Sequence, residues 1–178
     1  MMILGLDPSS TRTGYALMSS PTWIVEAGYL RPHRTKDPAL MRVSHMRESL
    51  VDILGQYGPA IACVEVPSGK VASGQRRGAS ASAMAMYGMA VGVFLATCLE
   101  HLRGEVVTPN EREWTRGVPK IKRNRLIAAQ FPVYREQFSK DSGGDIGDAI
   151  GLALWAYRNE TVGCKLQEPY ALLPSVEP

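Results

Sequence analysis

Four carboxylates fall in three distant segments, and each segment presents its acid at the end of an apolar run. Asp7 closes Ile3-Leu4-Gly5-Leu6-Asp7, and Glu65 closes Ile61-Ala62-Cys63-Val64-Glu65. Asp145 and Asp148 open a stretch that continues through Ile146, Ala149, Ile150, Leu152 and Trp155. A carboxylate at the end of a buried strand is costly unless it is paired or bound to a cation. Several converging on one point also repel one another. A divalent cation removes both penalties, and magnesium takes carboxylate oxygens and retained waters in preference to His or Cys. The pattern therefore points to a magnesium-dependent enzyme. Each acid also has a plainer reading. Asp7 precedes Pro8 and could serve a turn. Glu65 could be an edge-strand charge facing water. Asp145 and Asp148 could simply charge the start of a helix.

The elements that must position these acids can be read from periodicity. Residues 2–7 read as a buried strand. A turn over Pro8 to Gly14 leads to a second strand, Tyr15 to Met18, and a third covers 23–30. Short connections make these an antiparallel meander. Leu40, Val43, Met46, Leu50, Val51, Ile53 and Leu54 recur at helical spacing over 39–57, and Gly58-Pro59 ends that helix. A strand at 60–66 follows, then a polar, basic loop at 67–78 and a long helix at 79–102. After a short strand at 105–108, Thr108-Pro109-Asn110-Glu111 reads as a capping box with Pro at the first helical position. Helices are expected near 110–116 and 121–131, a polar loop over 135–144, and a last helix from Asp145 to about Asn159. This order is that of an α/β fold with a mixed sheet. Asp7 and Glu65 would end two neighbouring strands. Asp145 and Asp148, three apart, would share one helix face beside them.

At 178 residues the chain is expected to be one domain over 1–160 with a C-terminal tail at 161–178. Its 45% hydrophobic and 21% charged residues suit a soluble globular protein, and a net charge of +3 is compatible with a polyanionic partner. Cys63, Cys98 and Cys164 form no CxxC pair, which argues against a disulfide framework or zinc ribbon and fits a reducing, cytoplasmic setting. The N-terminus runs straight into a strand, so no signal peptide is expected. The apolar stretch Ala79 to Leu99 reads as a buried helix rather than a membrane span. His33, His45 and His101 show no ligand spacing. Ala81, Ala85, Gly88 and Gly92 recur about one turn apart on the long helix and would admit close approach of a second helix.

Ile3-Leu4-Gly5-Leu6-Asp7-Pro8-Ser9 with Gly14-Tyr15-Ala16, Val64-Glu65, and Asp145-x-x-Asp148-Ala149 together resemble the RuvC Holliday-junction resolvases. The resemblance spans residues 2–158 and implies a ribonuclease H-like fold, with a mixed five-stranded sheet flanked by helices. It implies that Asp7, Glu65, Asp145 and Asp148 are catalytic residues holding two Mg2+ ions, with Mn2+ able to substitute. It implies symmetric hydrolysis of four-way junctions to 5′-phosphate and 3′-hydroxyl ends. Two metals suit that reaction because they clamp the attacking and leaving oxygens together. A catalytic lysine is also implied, assigned to Lys122 or, second, Lys120. The long helix 79–102 would carry a homodimer seam, and a twofold dimer would match a junction with two symmetric strands.

Lys70, Arg76 and Arg77 in the 67–78 loop, and Lys120, Lys122, Arg123 and Arg125 further on, are the candidate DNA-binding residues. Arg112 and Arg116 belong to the same basic stretch. With a cleaving site nearby, phosphate contact outweighs a merely solvated helix face. One position departs from the bacterial pattern. Ser68 stands three residues after Glu65, where bacterial members carry an aromatic wedge, and residues 67–78 contain no aromatic. Base stacking by this loop is therefore not expected. That suits a phage-encoded, structure-selective relative acting more broadly on flaps and forks. Two rivals remain from the residues alone. One is a non-catalytic nucleic-acid binding module. The other is an actin-like sugar kinase, which needs a second lobe that this length does not hold.

Overall fold

A computed structural model describes residues 1–67, 80–134, 136 and 144–161. Ser68, Lys70, Arg76, Arg77 and residues 162–178 of the expected tail lie outside the described residues. A five-stranded sheet runs in the order β3-β2-β1-β4-β5, with β1 Ile3–Asp7, β2 Thr13–Ser20, β3 Trp23–Leu30, β4 Ile61–Val64 and β5 Glu105–Val107. β1, β2 and β3 form the antiparallel meander, while β1–β4 and β4–β5 pair in parallel. The sheet is mixed, as expected. Central β1 and β4 read as continuous apolar runs because both of their faces are covered. Ile3, Leu4, Leu6 and all of Ile61–Val64 are buried.

Side chains on a strand alternate between faces, so the sheet serves two cores. Leu4, Leu6, Leu17, Ala62 and Val64 face one core with helix α1 (Ala39–Tyr57) and helix α2 (Ala81–His101). Helix α1 buries Val43, Met46, Leu50 and Leu54 along one stripe and stops where Gly58 takes a left-handed φ of 53°. Ser80 caps α2 by accepting from the Ala83 amide at 3.1 Å.

Helix α2 departs from expectation. It is long and apolar enough to cross a membrane by composition, yet it packs on α1, β4 and β5 through Ala90, Val91, Phe94 and Cys98. Only that stripe and Thr97 are buried on the helix. Ala81, Ala85, Gly88, Gly92 and Leu99 lie on an exposed face.

The other core joins Ile3, Ala16, Met18, Ile61 and Cys63 to α3 (Glu111–Thr115), α4 (Lys120–Gln130) and α5 (Asp145–Thr161). The cap of α3 sits later than the sequence pattern suggests. Asn110 is the N-cap and Glu113 its reciprocal partner, with Pro109 before them. The reason lies in the sheet: the Pro109 carbonyl accepts from the Val66 amide, so this proline extends the parallel ladder past β4 instead of entering the helix.

Helix α5 presses onto the sheet unusually closely. A Cβ at Gly5 would sit 2.0 Å from the Ala149 carbonyl oxygen, and one at Gly14 only 2.2 Å from that of Asp145. Only glycine allows this approach, and it brings the first turn of α5 over the ends of β1 and β2.

Candidate active site

The parallel register of β1 and β4 sets Leu6 beside Val64, and the Glu65 amide donates to the Leu6 carbonyl at 3.1 Å. Asp7 and Glu65 thus leave the same edge of adjacent strands. Gly14, paired with Asp7 across β1–β2, supports the Asp145 backbone from below. Asp145 and Asp148 lie one turn apart at the start of α5. All four acids line one cleft of about 460 Å3, together with Glu111, Trp114, Lys120 and Arg123.

The electrostatics record this convergence. Burial, then Glu65, Asp148 and Asp145, push the Asp7 carboxyl well above its usual range, with Lys120 only partly opposing them. Burial raises Glu65 to about 7; Asp148 and Glu111 add to the rise, while the Trp114 hydrogen bond and Arg123 oppose it. Burial alone would lower the Lys120 ammonium, but Asp148, with Asp7 and Asp145, reverses that and raises it.

Cations of the chain hold the acids in place. Lys120 Nζ lies 2.6 Å from Asp148 Oδ2 and 3.7 Å from Asp145 Oδ1. Arg12, from the β1–β2 turn, reaches Asp145 Oδ2 at 3.0 Å and stacks over the Tyr29 ring. Arg123 donates to Asp148 Oδ1 at 2.8 Å, and Trp114 Nε1 donates to Glu65 Oε2 at 3.0 Å.

A hard divalent cation fits this donor set in chemistry. The cleft gathers four carboxylates with no His or Cys side chain in its lining, and neighbouring acids add to the burial that raises Asp7 and Glu65. Among the described residues, however, no three potential ligands already stand together at coordinating distances. The acids lean instead toward Lys120, Arg12 and Arg123, so a cation would compete with the Lys120 ammonium.

Two sequence expectations are revised by this geometry. The lysine at the acids is Lys120, while Lys122 points outward and is exposed. Two residues along a helix do not share a face. Arg123, expected on DNA, is 4% exposed and committed to Asp148 and to the Val118 carbonyl. Arg125, by contrast, is exposed. Sequence reading also passed over Trp114, Arg12 and Glu111. The tryptophan carried the best signal, being an aromatic in the first turns after a capping box beside a strand-end acid. His33 and His45 stack on each other with ring centroids 4.2 Å apart, away from the acids.

No family model matches the chain. Curated relatives do. The crossover junction endodeoxyribonuclease RuvC of Marinobacter nauticus is 28% identical over 171 residues, covering 90% of this chain and 89% of its own. RuvC of an Anaeromyxobacter species is 32% identical over 100 residues, covering 51% of this chain and 48% of its own. Over most of its length the chain is similar in sequence to RuvC proteins.

Solved structures agree at the level of the fold. Thermus thermophilus RuvC in complex with a Holliday junction substrate superposes with a TM-score of 0.64 at 17% identity, over 90% of this chain and 96% of that one. A Fowlpox virus resolvase in complex with Holliday junction DNA superposes at 0.52 and 15% identity, over 91% of this chain and 99% of that one. The ribonuclease H-like α/β architecture expected from the sequence is the one observed.

Proposed function

We propose that this RuvC-like chain is a metal-dependent, structure-specific DNA endonuclease that resolves four-way junctions by symmetric hydrolysis. The observation that carries this reading is the meeting of Asp7, Glu65, Asp145 and Asp148 in one cleft. These four would hold two Mg2+ ions, with Mn2+ able to substitute. Bound there, the metal would supply Lewis-acid stabilisation and an activated water. Asp148 and Asp145 keep Lys120 protonated and aimed into the cleft, where it can meet a phosphate oxygen. Lys122 and Arg125, exposed on α4, would hold the DNA backbone beyond the cut site, with Lys70, Arg76 and Arg77 contributing from the β4–α2 connection. Contacts of that kind position a substrate without reading its sequence.

The exposed small-residue face of α2 suits a twofold partner. A Cβ added at Gly88 or Gly92 meets nothing within 4 Å, so this face is open to a second helix. A homodimer through α2 would present two clefts to the two equivalent strands of a junction. The enzyme would act in the cytoplasm of a bacterial or phage-infected cell. Broader cutting of flaps and forks is favoured by one feature, the absence of any aromatic in residues 67–78.

The test is cleavage of a synthetic immobile four-way junction by wild type and by Glu65→Gln, with and without Mg2+. Paired symmetric nicks that require Mg2+ and vanish in the variant are expected. Equal cutting of flaps and forks would shift the reading to a general debranching nuclease. Tight binding with no cutting would leave a binding module.

A further inference from the structure

Trp114 and Arg123 come from different helices, α3 and α4, yet they form one buried unit. The Arg123 guanidinium carbon lies 4.6 Å above the centre of the Trp114 ring. Trp114 is 1% exposed and Arg123 is 4% exposed. Each spends a directed hydrogen bond on a different acid of the cleft. Trp114 Nε1 donates to Glu65 Oε2 at 3.0 Å, and Arg123 donates to Asp148 Oδ1 at 2.8 Å. The unit is anchored on both sides. Arg123 Nη1 donates to the Val118 carbonyl at 2.8 Å, and the Trp114 ring fills the space left by Gly151 of α5, where a Cβ would come within 2.7 Å of it.

We propose that the stacked Trp114–Arg123 pair is a positioning device that fixes Glu65 and Asp148 relative to each other for cation binding. The arrangement takes one oxygen from each acid and leaves the second oxygen of each for the cleft. On Asp148 that second oxygen, Oδ2, is the one that meets Lys120. Burial makes the device selective. An arginine that loses an interior carboxylate partner is left unpaired, so the pair holds a single arrangement. An indole N–H donates in one direction only and cannot follow the carboxylate if it swings away. Outer partners of this kind orient ligating groups, and their loss costs about 10–100-fold in metal affinity or activity.

The inference rests on the metal-nuclease reading, and the experiment separates the two. Trp114→Phe keeps an aromatic face under Arg123 but deletes the donor to Glu65. Arg123→Lys keeps the charge but loses the stacking plane. Junction cleavage is titrated with Mg2+ for wild type and both variants, and tryptophan emission is titrated with Mg2+ and Mn2+ in the absence of DNA. In each variant the Mg2+ concentration for half-maximal cleavage should rise about tenfold, with much of the rate restored at saturating Mg2+. Wild-type emission should change on adding either metal, the change should be absent from Glu65→Gln, and in Arg123→Lys, which keeps Trp114, its midpoint should move to about tenfold higher metal. A merely structural role would lower the melting temperature and the rate at every Mg2+ concentration without moving the half-maximal point. That outcome, with normal metal-dependent cleavage, overturns the proposal and leaves the nuclease standing. A metal response in emission without any cleavage would leave the positioning role intact and remove the nuclease. Absence of both would remove both.

Discussion

On one face of the sheet, Leu4, Leu6, Leu17 and Val64 share a core with Val43, Met46, Leu50 and Phe94 of α1 and α2. On the other, β1 and β2 meet α5 through Gly5, Gly14 and Ala16, and the backbone itself comes into contact. The first face keeps its helices at the distance that large side chains impose. The second brings a helix close enough for Asp145 and Asp148 to reach the ends of two strands. All four acids belong to that second side, and their mutual repulsion works against the fold there. The two faces therefore separate two demands: bulk apolar packing on one, close approach and stored charge on the other. Substitutions on them should move stability and activity independently.

The largest effect is expected from Asp7→Asn. Losing one acid of the cleft should forfeit several kcal/mol of Lewis-acid stabilisation, about a thousandfold in cleavage rate. The same change should leave the metal-free melting temperature unchanged or higher, because the fold penalises the ionised Asp7. Junction cleavage at saturating Mg2+ and thermal melting in chelator check the pair of outcomes. Its mirror on the other face is Leu50→Ala, fully buried among α1, α2 and the sheet. That change should cost about 2–5 kcal/mol of stability by urea titration with little loss of cleavage per folded molecule. If Leu50→Ala abolished cleavage while still folded, or Asp7→Asn unfolded the chain, the division between faces would fail.

Gly5→Ala sharpens the comparison, because it adds one methyl group at the point of closest approach. The methyl meets a backbone oxygen, which cannot rotate aside. A loss of about 3 kcal/mol is expected, the upper part of the range for overpacking. Cleavage should fall as well, since α5 can relieve the clash only by lifting Asp145 and Asp148 from the cleft. The core change Leu50→Ala on the opposite face offers no such route to the acids, so activity per folded molecule distinguishes the two.

The reach of the sequence follows the same division. Asp7 and Glu65 were legible because each ends an apolar run long enough to be a central strand, and neighbouring strands bring their ends together. Helix α1 was legible from Val43, Met46, Leu50 and Leu54 alone, since its burial is one stripe against a sheet. Lys122 was ranked ahead of Lys120, the lysine that meets the acids, because their difference is helical phase, and that phase is set by the Pro119 entry and by Asp148, far along the chain from Lys120. Arg123 read as one more charge in a basic run; its burial depends on Trp114 and Asp148, contacts that no local pattern contains. The small-residue face of α2 was legible as a seam, but how little of the helix the chain itself covers was hidden, for the opposite reason. Composition shows that a helix is apolar, but not whether the fold supplies enough surface to cover all of it.

The smallest expected effect is in pH, and it tests whether the cleft stores charge as the comparison requires. In the fold Glu65 titrates near 7, against an ordinary value near 4.5, and Asp7 is raised in the same sense by burial and by its neighbouring acids. Between those two values the folded chain keeps a proton that the unfolded chain has released. Stability in chelator is therefore full below about pH 4.5 and falls as pH climbs through 7. The loss should be on the order of 2–3 kcal/mol, read as a falling urea midpoint between pH 5 and pH 8. Glu65→Gln should flatten that slope, whereas Leu50→Ala should lower the midpoint equally at both ends. Mg2+ should oppose the fall, because it binds the ionised acids and only the folded chain gathers them. A slope that survived Glu65→Gln unchanged would mean that the titrating groups lie elsewhere. The α5 face would then differ from the α1/α2 face in packing alone, not in the electrostatic work done to assemble the site.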